Sequence, residues 1–220
     1  MTTQSAQAFT FGNIDFNTSG SLSGDSVKNS IQRAYQFTFT GDPNYKLENV
    51  QLRLNRFTQT EANVLLIKGT ADSSTPLKPP TVNSSNSVSF STTQEATGTG
   101  ASGYQNITFN PSAEFFFEPG ETYWLSVAAN SGGDFGWRMG TEPGANPESD
   151  PTGVAAFNSF SSNLDNSNWS TTVTGMDAVL NGTNGRGLFA INAVKVPEPS
   201  NLIGLFTVVV LGMMSFKRQK

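Results

Sequence analysis

The chain has 220 residues, 36% of them hydrophobic and 14% charged, with a formal net charge of -4; that length supports one domain with a real core, and 17 Phe at so low a net charge exclude a disordered polymer. It contains no Cys and no His, which excludes disulfides, thiol nucleophiles, Ser-His-Asp triads and ordinary zinc sites. The slight acidity provides no basic patch for phosphates, so no nucleic-acid partner is expected.

At the start, Ala6-Gln7-Ala8 fits the small-x-small end of a signal-peptidase site. No basic or apolar region precedes it, so the expectation is a signal peptide encoded upstream of Met1. Residues 1–9 are then the remnant of the cleavage region, and 10–195 the folded domain. From Tyr35 a two-residue period dominates. Tyr35, Phe37 and Phe39 alternate with polar partners, and Val50, Leu52 and Leu54 alternate with Gln51, Arg53 and Asn55. A more continuous apolar run leads to Gly69. Val88 and Phe90, then Ile107 and Phe109, mark two further strands. The stretch 114–129 holds two strands joined by Glu118-Pro119-Gly120-Glu121, a type II turn signal that predicts a hairpin. After it, Tyr123, Leu125 and Val127 face one way, while Trp124 and Ser126 face the other. The stretches 134–140 and 187–196 close the set.

Short strands separated by turn clusters, each with one apolar face, predict an all-β fold. The expected form is an antiparallel β-sandwich of jelly-roll type, with a single C-terminal hydrophobic helix.

The last 25 residues, 196–220, differ from everything before them. Val196, Pro197, Glu198, Pro199 and Ser200 form a Pro-Glu-Pro punctuation. The run from Leu202 to Phe216 follows, with Leu205, Phe206, Val208, Val209, Val210 and Leu211 among its apolar residues. As a helix it would be about 22 Å long at about 1.5 Å per residue, short for a bilayer core of about 30 Å. Lys217, Arg218 and Lys220 then form a stop-transfer cluster. A soluble helix would show a polar face, and this run shows none. Two other readings stand beside a sorting signal: a permanent tail anchor and a buried helix of the domain.

This tripartite order resembles the PEP-CTERM sorting signal of Gram-negative bacteria and cyanobacteria. The resemblance implies an exported protein, held first in the inner membrane. An exosortase-type transpeptidase would then recognise Pro197-Glu198-Pro199, remove the tail and pass the protein to the cell surface or extracellular matrix. Such proteins are associated with biofilm and extracellular polysaccharide. Gln219 interrupts the basic cluster usual in that family. The body, through its Val50-Leu52-Leu54 strand and the Phe117-x-Pro119-Gly120-x-x-Tyr123-Trp124-Leu125 stretch, is similar to the extracellular choice-of-anchor β domains of R type. That family implies no established activity.

No catalytic residue, metal or cofactor is expected. A ligand platform is read at Trp124, Tyr104 and Trp169, whose faces suit the C–H faces of sugar rings, with Arg138 and neighbouring Asn and Asp residues for hydroxyls. Trp124 is the surface candidate because it opposes Tyr123 and Leu125; Trp137 and Tyr123 read as core. Asp134, Glu148, Asp150, Asp165 and Asp177 are loop acids that could meet Ca²⁺ or simply be solvated. An alternative function, a surface glycan hydrolase, would use Glu114, Glu118 or Glu121 as a carboxylate pair.

Overall fold

A computed structural model of the chain describes residues 8–12, 14, 25–28, 32–71, 78–140, 155–163, 169–170 and 186–196. The strands are β1 (Ala8–Gly12), β2 (Asp25–Lys28), β3 (Gln32–Phe39), β4 (Tyr45–Asn55), β5 (Ala62–Lys68), β6 (Ser87–Ser91), β7 (Gln105–Pro111) and β8 (Phe116–Phe117). They continue with β9 (Thr122–Ala129), β10 (Asp134–Trp137), β11 (Met139–Gly140), β12 (Ala155–Asn163), β13 (Trp169–Ser170), β14 (Arg186–Gly187) and β15 (Phe189–Lys195). A single 3₁₀ turn, Ala101–Gly103, precedes β7. No α-helix occurs among the described residues, and the predicted helix at 202–216 lies outside them.

The all-β, antiparallel expectation holds. The strands follow the order β1-β15-β4-β7-β6-β5-β9-β3-β12-β13, with β8 and β10 added on β4 and β2 on β10. This is one hydrogen-bonded path folded over at β6, which pairs with β5 through Leu66↔Val88 and with β7 through Phe90↔Pro111. The two arms therefore face each other. Rings from opposite arms meet: Phe11 with Phe37 at 5.0 Å between centroids, Phe39 with Phe117 at 5.2 Å and Tyr35 with Phe189 at 4.4 Å. Burying each such ring contributes on the order of 2–3 kcal/mol. These aromatic contacts take the place of the larger aliphatic core that the composition lacks.

The period-2 reading maps onto the sheet. Val50, Leu52 and Leu54 of β4 are fully buried in the core between the arms, with Ile191 and Phe189 of β15 beside them. Gln51 and Arg53 stand on the outer face at half exposure. An extra residue on β4 opposite Asn192/Ala193 breaks the β15 register, and from Asn49 to Asn55 the alternation runs without interruption.

Two expectations change. The turn at Glu118–Glu121 forms as read, with Glu121 N bonded to Glu118 O at 3.3 Å and Gly120 at φ +80. It does not make a hairpin. The strand before it, β8, pairs with β4, while β9 after it pairs with β3 and β5. The turn is a corner that carries the chain from one arm to the other. At the other end, β1 starts at Ala8, inside the segment read as a cleavage remnant. Its Phe9 and Phe11 are core residues, and the strand pairs along its whole length with β15.

Candidate ligand site on the outer face

The predicted platform does not assemble. Trp124 points away from the central core, as the alternation required, but it is 0% exposed. Its outer face is covered: it packs with Ala34 and Ile67, and Nε1 donates to the Gly69 carbonyl at 3.0 Å. A donor satisfied in this way, on a ring sealed from solvent, offers nothing to a sugar. Trp169 is placed by its backbone alone, opposite Asn163 in β13 at the end of the β3-side arm. Tyr104 lies in the other arm, just before β7. Trp137 is core, as read, with Nε1 donating to Leu188 O at 2.9 Å. Among the described residues the exposed aromatic is Phe116, at 45%, on β8 in the other arm from Trp124.

Of the three acids read as a source of a carboxylate pair, Glu114 stands apart, while Glu118 and Glu121 stay together. Glu114 pairs with Lys46 on β4, whereas Glu118 and Glu121 both approach Lys68 on β5, at 2.5 and 3.7 Å. Each is a largely exposed surface ion pair of a kind that contributes little. An open groove of about 490 Å³ lies beside Lys46, Glu48, Pro111, Glu114 and Val194. Of the loop acids, Asp134 lies 3.7 Å from Arg56. Glu148, Asp150, Asp165 and Asp177 fall outside the described residues. No group of acids suited to a metal occurs among the described residues.

Tyr104 belongs instead to a different cluster. β10 pairs with the end of β4 at Trp137↔Leu54 and Gly136↔Asn55. Phe135 and Trp137 enter the core, so Gly136 and Arg138 take the outer face beside Arg53 and Asn55. Arg138 N bonds to Arg53 O at 2.8 Å, which brings the two arginines side by side. The Arg138 guanidinium sits over the Tyr104 ring, 5.3 Å from its centroid, and the residue is only 4% exposed. Burial lowers its pKa; Tyr104 opposes that shift and the like charge of Arg53 adds to it. The side chain remains a cation held in a fixed place.

Asn55, also 4% exposed, donates from Nδ2 to the Gly100 carbonyl at 3.2 Å. Its Oδ1 occupies the space that a Cβ on Gly136 would fill, 2.0 Å from that position, and the Tyr104 hydroxyl is 2.9 Å from the same point. Only glycine admits this approach. Asn55 Oδ1 and Arg53 Nε are both buried without a hydrogen-bond partner, an arrangement that costs each group its hydration. Further along the same face a polar ladder crosses three strands. Thr10 Oγ1 donates to Asn192 Oδ1, and Asn192 Nδ2 donates to Asn49 Oδ1, both at 2.7 Å.

Compared with known proteins, the chain matches no family model, and no curated protein matches it significantly. The site therefore has to be read from its own chemistry. Fixed cations, an aromatic ring and amide groups on a sheet face suit an oxygen-rich anionic ligand. Arg138 was among the residues read from the sequence as partners for hydroxyls. Arg53 and Asn55 stood there only as the polar half of an alternation, and their neighbourhood with Arg138 depends on the pairing of β10 with β4.

Proposed function

We propose that this chain is an exported, non-catalytic protein of the cell surface or extracellular matrix. Its domain is a jelly-roll-like β-sandwich, and residues 196–220 are a removable sorting signal of PEP-CTERM type. The observation that carries the reading is the tripartite tail: Pro197-Glu198-Pro199, the apolar run Leu202–Phe216, and the basic end Lys217–Lys220. The position of the tail supports it. β15 ends at Lys195, and Val196 N, bonded to Asn44 O at 2.8 Å, makes the last described backbone bond. The motif thus begins where the described sheet ends. Every described core residue lies before Val196, so removal of the segment after the motif would leave the described core whole. The partners of this reading are an exosortase-type membrane enzyme, the inner membrane during transit, and extracellular polysaccharide at the destination.

The test is an epitope inserted before Val196, followed by intact-mass and localisation analysis in the native host. A surface or released species lacking the residues after the motif is expected. The Glu198→Ala variant should accumulate at full length in the inner membrane. A wild-type chain that stays there at full length would make the run Leu202–Phe216 a permanent anchor.

A further inference from the structure

We infer that the corner formed by Arg53, Asn55, Tyr104 and Arg138 binds a carboxylate-bearing sugar, and that the acidic polysaccharide containing it continues over Asn49 and Asn192. The inference rests on the proposed function only for where such a ligand would be met. Its chemistry comes from the corner itself.

Like charges on adjacent strands oppose pairing, and burying them raises the cost. Arg53 and Arg138 are nevertheless brought together by the β4–β10 pairing. A carboxylate between two guanidiniums reverses the sign of that interaction and suits their forked geometry. The two arginines are not equivalent. Arg138 and Tyr104 have further interactions of their own, so they fix a charge and a ring in place. Arg53 is half-exposed and supplies the reach.

The orphaned atoms narrow the ligand class. Arg53 Nε is a donor and Asn55 Oδ1 an acceptor, both without partners. A sugar acid answers both, because its carboxylate accepts and its hydroxyl donates. A neutral sugar's hydroxyls can meet both atoms but bring no charge to the two guanidiniums, and an inorganic anion brings the charge without the chain of hydroxyls that reaches on to Asn49 and Asn192. From Arg53 to Asn49 the outer face of β4 advances about 14 Å, at about 3.4 Å per residue. There the Asn192–Asn49 amide pair meets the hydroxyls of neighbouring sugars.

The experiment uses the purified full chain in detergent micelles and titration calorimetry. The probes are an oligogalacturonate, a neutral galacto-oligosaccharide of equal length, and inorganic phosphate. The oligogalacturonate should bind, more weakly as salt rises. Arg53→Gln should weaken it about 10- to 100-fold, the loss of one or two charge-assisted hydrogen bonds. The thermal midpoint of that variant should not fall, because the substitution removes a like charge from beside Arg138, and the affinity of Arg53→Lys should lie between the two. Four outcomes would overturn the proposal: equal affinity for the neutral oligosaccharide, unchanged affinity in Arg53→Gln, displacement by phosphate as effective as by oligogalacturonate (an adventitious ion only), or no binding of either sugar. Binding is read on purified protein and sorting in cells, so failure of one leaves the other standing.

Discussion

At the scale of single residues, the side chains that matter are polar groups enclosed by apolar ones. Tyr123 is fully buried, and its hydroxyl oxygen accepts from the Glu118 backbone N–H at 2.7 Å. Burial is the main reason that its pKa is pushed up to about 12 from 10.0; the Glu118 hydrogen bond opposes this, and the Glu118 and Glu121 charges reinforce it. A phenol that ionises later in the folded state than in the unfolded one contributes stability that is complete below pH 10. That contribution is lost as the pH rises from 10 to 12, by about 2–3 kcal/mol in all. Urea midpoints measured across that window should fall, and in Tyr123→Phe this part of the fall should disappear. Gly136→Ala is a second case at this scale. Its methyl would collide with Asn55 Oδ1, displacing Asn55 from Gly100, and we expect a loss of about 1–3 kcal/mol in urea unfolding.

Among the elements, β1 and the corner turn carry the most information. β1 adds Phe9 and Phe11 to the core and covers the free side of β15. Phe11→Ala should cost about 3–5 kcal/mol, measurable as a shift of the denaturation midpoint. The contrast between strands read and strands missed has a physical basis. β4 and β9 announce themselves because one face is apolar for several residues in succession. β1 offers only Phe9 and Phe11 among small polar residues, next to an Ala-Gln-Ala that fits a cleavage site. β2 has four residues, with Val27 in the core. In β12, Ser and Asn interrupt the apolar positions, and the β3 register shifts between Phe157 and Ser159. The Pro-Gly turn was legible because it depends on two adjacent residues. What its flanking strands pair with depends on residues far away in the chain. Trp124 shows the same limit: its side of the strand was legible, but the Ala34 and Ile67 that cover it were not. The corner of Arg53, Asn55 and Arg138 joins β4 to β10, positions more than 80 residues apart in sequence, so no local pattern announces it.

For the whole molecule, the domain is expected to be complete without its tail. A chain ended at Val196 should keep the thermal midpoint of the full chain in circular dichroism, because every described core residue lies before that point. A lower midpoint would mean that residues after 196 pack on the domain. Pairing of β1 with β15 spans almost the whole described chain, from Ala8 to Val194, which predicts slow folding. The same pairing has a mechanical consequence. β15 lies between β1 and β4 and leads directly to Val196. A tether pulling at Val196 draws β15 along its own axis, while the bonds to both neighbours run across that axis. The load is then shared by two ladders in shear, rather than opening one bond at a time. A protein held at a surface by this end would resist drag through a strand that is paired on both sides.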